Sequence, residues 1–354
     1  MKILILALSG IGDALMFTPA MKLMRDHFPD AQIDAVVMYK GVFDIYRRTG
    51  ICDAVTYHNF LSESPLTSLK FVLGLRGKYD CSFSVYPANR REYNGIQFLA
   101  GAKKRGAVKY KRMNASNLGF LNNVTVDEDD SLHNVTENVR MVEKMFGVSF
   151  ETVPPLQFPL TTADKSFATD FIENSVMEYS GALVGFHPGC ATLKNHIMRR
   201  WEPEKFSELG KKLVDQGNTV LIFGGPEEEE LKYQVYKGID HPSAFVVNSK
   251  NLGETAALMK QCDVFVTNDS SLMHTASAMQ IPVVAIIGPT NPAYIHPWQT
   301  RYELVSLHLD CAPCFFYSPK PLSCTRTDVP YKCRKEITVD MVLSAVKKIL
   351  TATA

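Results

Sequence analysis

One stretch of the chain places a strand, a polar turn, a helix and a second strand in immediate succession. DVFVTN (263–268) is rich in β-branched and aromatic residues, SSLMHTASAM has helical spacing and small residues, and IPVVAIIG has the pattern of a buried strand. The turn from Asn268 to Ser271 consists of residue types that favour helix N-caps. The pattern predicts a parallel sheet in which a helix begins directly at the carboxyl end of a strand.

A helix N-terminus at that place suits an anion such as phosphate. Its first N–H groups have no intrahelical partners, and the helix dipole adds partial positive charge. The dipole contributes only about 0.3–1 kcal/mol, and up to about 2 kcal/mol when partly buried. A diphosphate therefore needs cationic side chains from another segment.

The loop HPGCATLKNHIMRRW (187–201) is the candidate source of those cations. It follows the strand pattern GALVGF, and parallel strands of one sheet align their carboxyl ends, so we expect the loop to lie beside the 268–271 turn. Surface charge ahead of a helix is the alternative. Glu227, in GGPEEEE at another strand end, either accepts hydrogen bonds from a ribose or simply starts a helix. The loop's candidate anion-binding residues are Thr192, Lys194, Arg199 and Arg200.

Composition excludes several classes of protein. The chain has 354 residues, 46% hydrophobic content and a net charge of +1, so it has no general field for nucleic acid. No apolar run approaches the roughly 20 residues of a membrane span. The apolar run Ile3–Leu8 leads into a glycine turn and Asp13, which favours a first buried strand over a signal peptide. We therefore expect a cytoplasmic chain of about two domains.

Strand and helix patterns alternate in both halves of the chain. They are interrupted by ETVPPLQFPL (151–160), which holds three prolines and is the best candidate for a linker. The sequence predicts an α/β chain of two doubly wound, Rossmann-like domains facing across a cleft, at 1–160 and 161–354. The last amphipathic helix (338–352) either packs within the second domain or returns to the first.

The first turn, SGIGDALMFTPA, does not fit a dinucleotide fingerprint. Leu15 stands where the third glycine or alanine is needed, and Asp34 opens the second strand instead of closing it. Asp13 at the end of this turn is either a helix cap or a carboxylate free to act as a general base. A basic stretch at 89–112 includes Arg90 and Arg91, and it is either a solvated face or a surface for an anionic acceptor or a phospholipid headgroup.

Four cysteines near the C-terminus have a spacing that suits a metal. They follow the pattern C-x2-C-x9-C-x8-C with Pro- and Ser-rich loops between them. Buried thiols are the alternative. A metal there would be structural and not catalytic, because four protein ligands leave no open position, and zinc is favoured ahead of iron. The candidate ligands are Cys311, Cys314, Cys324 and Cys333.

These motifs together resemble glycosyltransferase family 9, the family of the ADP-heptose:lipopolysaccharide heptosyltransferases. The resemblance covers nearly the whole chain. SGIGDALMFTPA resembles the N-terminal signature, HNVTENVRMVEKMFG the middle helix, and HPG with RRWEPEKFSEL the opening of the second domain. NDSSLMHTASAMQIPVVAIIGPTNP is similar to the D-[ST]-G-x-x-H-x-A-A segment followed by GPTDP.

The resemblance implies a GT-B fold and an inverting glycosyl transfer that uses no catalytic metal. The donor would be an NDP-sugar, with ADP-heptose favoured, and the acceptor a lipopolysaccharide-core or other glycan, lipid-linked and bound by the first domain. Peripheral contact with the inner face of the inner membrane would follow. Asp13 matches the catalytic base, and Gly12, Arg90 and Arg91 are the acceptor-side candidates. On the donor side the matching residues are Arg199, Arg200, Glu227, Asp269, Ser270, Ser271, Leu272 and His274.

Three departures from the family pattern leave the donor open. Ser271 stands where glycine is usual, Asn291 replaces the aspartate of GPTDP, and Arg199 occupies a position that is commonly lysine. A GT-B-shaped nucleotide-sugar epimerase or hydrolase, and a non-catalytic scaffold of the same fold, are the competing hypotheses. Asp13 together with the arginine pair argues against a scaffold, which needs neither.

Overall fold

The computed structural model describes residues 1–176, 181–316 and 320–352. The chain divides into two compact units. The first is Met1–Pro159, and the second begins at Leu160. The boundary falls within the proline-rich stretch 151–160, which has no regular secondary structure. Each unit contains a six-stranded parallel sheet flanked by helices, which confirms the predicted α/β class with two doubly wound sheets.

The first unit alternates strands and helices from its first residues. Its sheet has the order β3-β2-β1-β4-β5-β6, and all its pairings are parallel. The strands are β1 Lys2–Ala7, β2 Gln32–Val37, β3 Ala54–Tyr57, β4 Cys81–Ser84, β5 Lys104–Lys109 and β6 Val124–Asp127. The helices are α1 Ile11–His27, α2 Lys40–Thr49, α3 Pro65–Leu73, α4 Arg91–Leu99 and α5 Asn134–Phe146.

The second unit repeats this arrangement with a sheet of order β12-β11-β10-β7-β8-β9. The strands are β7 Leu183–His187, β8 Thr219–Ile222, β9 Ala244–Val246, β10 Val264–Asn268, β11 Val283–Ile286 and β12 Tyr302–Val305. The helices are α6 Thr162–Phe171, continued by a π-helical turn Ile172–Val176, α7 Pro203–Val214, α8 Glu229–Ile239, α9 Leu252–Met259, α10 Ser271–Ala278, α11 Pro292–Ile295, α12 Lys332–Lys335 and α13 Val339–Thr351. Short helical turns span Gly119–Leu121, Leu193–Arg199 and Pro226–Glu228.

The central strands are almost completely buried because helices cover both faces of each sheet. In β1 the side chains from Ile3 to Ala7 are all buried, and every residue of β10 is buried. Counted within its own unit, each sheet has the strand order 3-2-1-4-5-6. The order reverses between β1 and β4 in the first unit and between β7 and β10 in the second. Ligands of open α/β sheets bind at the carboxyl ends of the strands at this point.

The last helix belongs to the core of the second unit. Thr338 caps α13 by accepting a hydrogen bond from the Met341 N–H, and the buried face of the helix includes Val342, Val346 and Ile349. These side chains join the cluster that contains residues of β7, β10 and α7. Burial of such a side chain contributes about 1.5–3 kcal/mol. The last helix therefore packs within the second unit, which is one of the two placements that the sequence allows.

Candidate functional site

The turn between β10 and α10 lies at the carboxyl edge of the second sheet, beside β7. Ser270 is the N-cap residue of α10, but its side chain makes no capping hydrogen bond. Its Oγ lies 2.9 Å from His187 Nδ1 and 3.1 Å from Thr267 Oγ1 instead. The Ser270 side chain therefore leaves the first N–H groups of α10 to another acceptor.

Asn268 ties this turn to the loop at 187–201, called the cationic loop below. The side chain is fully buried at the end of β10. Its Nδ2 donates to the carbonyl oxygens of Pro188 at 2.8 Å and Gly189 at 3.3 Å, and its Oδ1 accepts from the Trp201 N–H at 2.9 Å. One amide side chain thus holds both ends of the loop. The structure brings the cationic loop and the turn together as the alignment of the strands predicts.

Arg199 lies against the start of α10 through Asp269. Its Nη1 is 2.5 Å from Asp269 Oδ2, and both side chains are nearly buried. Thr290 Oγ1 donates to the same carboxylate oxygen at 2.6 Å. Arg199 Nη2 lies 3.3 Å from His196 Nδ1. Burial, reinforced by the charge of Arg199, lowers the pKa of His196 to about 4, so at neutral pH this ring accepts a hydrogen bond and adds no charge.

Arg200 belongs to a second group of contacts that the sequence analysis did not identify. His187 Nε2 is 3.0 Å from Glu228 Oε2, and Glu228 Oε1 is 3.3 Å from Arg200 Nη2. A Cβ at Gly189 would collide with the Glu228 carboxylate, so this glycine allows the close approach. The glycine of HPG, directly after a strand, is the sequence signal that could have pointed to it. The neighbouring Glu227 is exposed.

The charge on Glu228 is fixed by its partners. Burial alone would raise its pKa. The hydrogen bond and charge of His187, the Gly225 N–H and the charge of Arg200 outweigh that effect and lower the pKa to about 2. Arg200 also donates from Nη2 to the Cys190 carbonyl at 2.7 Å, whereas its buried Nε has no hydrogen-bond partner in the described part of the chain. A guanidinium N–H is therefore left for an anion.

His274 follows in the first turn of α10. Burial lowers its pKa to about 4, and its Nδ1 is buried without a partner among the described residues. Leu272 is also buried, so only its backbone offers a polar group, and Ser271 is half-buried. On the cationic loop Thr192 is exposed, and Lys194 adopts a left-handed backbone with φ of 55°.

The first unit places Asp13 in the first turn of α1, after the Gly-rich turn that follows β1. The Gly10 N–H donates to its Oδ2 at 3.3 Å, a long bond for a cap. Asp13 lies close enough to Tyr39 and Tyr93 to act on their ionisation. Burial raises the pKa of Tyr93 to about 12, with a small further contribution from the Asp13 charge, and burial also raises the pKa of Tyr39. Both tyrosines therefore lie within electrostatic range of this carboxylate.

The acceptor-side candidates are exposed to different degrees. The Arg90 guanidinium carbon lies 5.6 Å from the centre of the Tyr93 ring, so Arg90 is held beside the Asp13 region. Arg91 is exposed and lies 4.0 Å from Glu92. Gly12 is half-buried in the turn. Arg105 of the same basic stretch is structural, because its guanidinium donates to the carbonyl oxygens of Ala102 and Leu121.

The four C-terminal cysteines line a single cavity, together with Pro289 and Tyr331. The Tyr331 N–H donates to Cys324 Sγ at 3.2 Å, and Arg326 Nη1 lies 3.5 Å from Cys311 Sγ. Burial, with the neighbouring thiols, raises the pKa of Cys333 to about 11. Within residues 1–176, 181–316 and 320–352, however, no three His, Cys, Asp or Glu side chains are arranged to hold a metal ion. Residues 317–319 of the predicted Cys-rich segment lie outside the described residues.

No helix in the described ranges combines the length and the apolar character needed to cross a membrane.

The sequence matches a family model and curated proteins. The model for glycosyltransferase family 9 (heptosyltransferase) matches residues 96–322. Lipooligosaccharide heptosyltransferase 2 of Campylobacter jejuni (strain 81116) is 26% identical over 359 residues, covering 99% of this chain and 100% of that protein. Lipopolysaccharide heptosyltransferase 2 of Escherichia coli K12 is 25% identical over 324 residues, covering 87% and 88% respectively.

Solved structures share the fold. The structure of E. coli ADP-heptose lps heptosyltransferase II has a TM-score of 0.75 at 20% identity, and each chain is fully covered. The iron-containing, dodecameric heptosyltransferase TibC, solved in complex with ADP-D-beta-D-heptose, has a TM-score of 0.58 at 16% identity, covering 99% of this chain and 77% of that one. This likeness confirms the predicted GT-B fold class.

Proposed function

Because the chain belongs to glycosyltransferase family 9, we propose that it is an inverting, metal-independent heptosyltransferase that uses ADP-heptose. Membership of the family makes the chain a glycosyltransferase. Its similarity to proteins named lipooligosaccharide and lipopolysaccharide heptosyltransferase 2 supports a lipopolysaccharide-core acceptor. The solved complex of TibC with ADP-D-beta-D-heptose supports this donor.

One observation carries the proposal: two arginines and a helix N-terminus meet at the point where the strand order of the second sheet reverses. Arg199 lies on Asp269 at the start of α10, and the buried Nε of Arg200 is left without a hydrogen bond in the described residues. Arginine forks match phosphate oxygens, and a helix N-terminus favours negative charge. The second unit therefore offers what the diphosphate of a nucleotide sugar requires.

The proposed reaction is a single displacement at the anomeric carbon. An acceptor hydroxyl oxygen forms the new bond as the bond from the anomeric carbon to the diphosphate oxygen breaks. The electron pair leaves with the nucleoside diphosphate, and the hydroxyl proton passes to Asp13. Attack from the face opposite the diphosphate inverts the anomeric configuration. Arg199, Arg200 and the N–H groups of α10 stabilise the charge that develops on the leaving group.

The first unit would supply the acceptor side. Asp13 is the proposed general base, with the tyrosines beside it as a surface for the acceptor and Arg90 as a cation for its anionic groups. The exposed Arg91 would favour a lipid-linked acceptor at the inner face of the inner membrane, since a basic side chain near an anionic surface gains about 1 kcal/mol.

The cationic groups support a mechanism without a catalytic metal, because they provide the charge that a divalent ion supplies in other transferases. The D-x-D spacing that often holds such an ion does occur here, at Asp127 and Asp129, but these residues belong to the first unit and the arginines to the second. There Asp127 pairs with Lys109 at 3.2 Å and Asp129 accepts from Ser131.

Replacing Asp13 tests the assignment of the base. We expect Asp13→Asn to fold and to bind ADP-heptose as the wild type does, because the donor groups lie in the second unit. Its turnover should fall by about 10²–10⁴-fold, the usual contribution of a general base. Calorimetric titration with ADP-heptose and a coupled assay of ADP release with and without acceptor measure both quantities.

Asp26→Asn is the matched control, because Asp26 is an exposed aspartate of the same helix, paired with Lys22. Near-wild-type turnover of Asp13→Asn would show that Asp13 is only a cap. Release of ADP at the full rate without any acceptor would favour a hydrolase over a transferase.

We also propose that the four cysteines hold a structural metal, zinc ahead of iron. Four thiols around one cavity form a donor set that suits a tetrahedral ion, and the hydrogen bonds that Cys311 and Cys324 receive would stabilise thiolates. When bound, the ion would crosslink the parts of the chain that carry the four thiols. The metal would have no part in the transfer step.

A further inference from the structure

The segment that carries the four cysteines (311–333, called the cysteine segment) packs against the cationic loop. The Leu322 N–H donates to the Lys194 carbonyl at 2.9 Å, and Asn195 Nδ2 donates back to the Leu322 carbonyl at 2.8 Å. Just beyond the segment, Arg334 Nη1 donates to the Arg200 carbonyl at 2.9 Å. The backbone on both sides of the two arginines is therefore held by the C-terminal region.

Within the cysteine segment, Phe315 makes the contact that reaches the anion-binding arginine. The Phe315 ring is buried, and the Arg199 guanidinium carbon lies 5.3 Å from its centre. The His196 and Phe315 rings are nearly perpendicular, with centroids 5.0 Å apart. The Phe315 N–H donates to the Pro289 carbonyl at 3.0 Å, and a parallel bridge links Phe315 to Thr290. Main-chain hydrogen bonding thereby fixes the backbone that carries the ring.

Phe315 connects two groups that meet on one atom. Thr290, beside Phe315 in the bridge, donates to Asp269 Oδ2, and Arg199, on the Phe315 ring, contacts the same oxygen. The guanidinium thus lies over the ring and is paired with the carboxylate. An ammonium group could not use both contacts in this way, because it has neither a planar face nor forked donors.

We propose that Phe315 is a positioning residue for donor binding, which holds the Arg199 guanidinium at the N-terminus of α10 ready for the donor diphosphate. The inference rests on the proposed function of the second unit as the nucleotide-sugar site. It gives the cysteine segment a role in that site: the segment seats the ring that orients the cation. Holding a long side chain in its binding conformation lowers the entropy cost of binding.

Removing the ring face tests the inference. Phe315→Leu should weaken binding of ADP-heptose and of ADP by about two- to thirty-fold, the range of a cation–π contact. In turnover, the KM for the donor should rise while the KM for the acceptor stays constant. Phe315→Tyr keeps the ring face and should bind the donor nearly as the wild type does. Phe120→Leu is the control, because it makes the same substitution at an exposed phenylalanine of the first unit.

A double-mutant cycle separates positioning from general packing. In an Arg199→Met background, the same Phe315→Leu change should leave the donor dissociation constant unchanged, since no guanidinium remains to be held. Thermal unfolding of every variant checks the fold. If Phe315→Leu unfolds below the assay temperature, Phe315→Met, which fills a similar volume without a ring face, is measured in its place.

The outcomes distinguish this inference from the proposed function. Equal weakening by Phe315→Leu in both backgrounds, or an unchanged donor dissociation constant in the folded variant, would overturn the positioning role. A wild-type protein that binds no nucleotide sugar at all would overturn the proposed function itself.

Discussion

The contacts of Arg199 explain why a guanidinium suits this position. It reaches Asp269 with one terminal nitrogen and the neutral His196 with the other, and its guanidinium carbon lies over the Phe315 ring. The proposed donor site contains buried ionisable groups, and such groups make the stability of the fold depend on pH.

His274 provides a pH prediction. Its pKa in the folded chain is about 4, below the ordinary 6.5, because the ring is buried. Between these two pKa values, His274 is therefore protonated in the unfolded chain and neutral in the folded chain. The free energy of unfolding should fall as pH is lowered from about 6.5 to about 4, by about 3 kcal/mol for this group.

Urea unfolding of wild type and His274→Gln at pH 7 and pH 4.5 measures this difference. The variant should lose less stability than the wild type across the interval, whatever its stability at pH 7. His196 titrates in the same window in both proteins, so the comparison cancels its effect. Equal losses of stability in the two proteins would mean that folding does not lower the pKa of His274.

At the scale of elements, the sequence predicts those strands, helices and caps that depend on residues close together along the chain. The β10–α10 unit and the Thr338 cap follow from local residue types, and the cationic loop lies beside the turn because parallel strands align their ends. The contacts of Glu228 with His187 and of Phe315 with Arg199 join residues 41 and over 100 positions apart. No local pattern encodes such pairs, since they depend on how loops from different strands pack.

Ser270 shows that N-cap propensity alone does not predict which hydrogen bonds a side chain makes. Its residue type predicts an N-cap, and it does occupy the N-cap position of α10. Its hydroxyl contacts His187 and Thr267 instead, and this gives the buried histidine at the end of β7 a hydrogen-bond partner. The helix end is left for a ligand as a result.

The cysteine segment allows a prediction of metal content. We expect about one zinc per chain in freshly purified protein, because four thiols line one cavity. A structural ion binds the folded chain and not the unfolded chain, so its binding free energy adds to the free energy of unfolding. Cys311→Ser combined with Cys314→Ser should lose the metal and lower the melting temperature. Elemental analysis and thermal unfolding measure both. Cys52→Ser, outside the segment, should retain the metal. A metal-free wild type with full activity and stability would contradict the proposal.

At the scale of the whole molecule, the proposed donor residues and the proposed base belong to different units of the chain. Ligand binding to a folded protein stabilises it by about 2.7 kcal/mol at a hundredfold excess over Kd. A ligand that binds only the second unit raises the free energy of unfolding of that unit. A chain of two units need not unfold in one step, so the effect of the donor can be assigned to a unit by calorimetry.

We expect ADP-heptose, and ADP less strongly, to raise the unfolding transition of the second unit, with UDP-, GDP- and dTDP-sugars giving smaller shifts. For roughly 190 residues, a change of 1 kcal/mol moves the melting temperature by about 2–4 °C, so saturating donor should raise it by about 5–10 °C. Scanning calorimetry on the wild type and on Arg200→Met, which lacks the guanidinium, measures the shift and its origin.

Because Asp13→Asn alters only the first unit, its donor-induced shift should equal that of the wild type. A larger shift with another nucleotide sugar would assign a different donor to the same site, and a shift that survives in Arg200→Met would place the diphosphate away from this arginine.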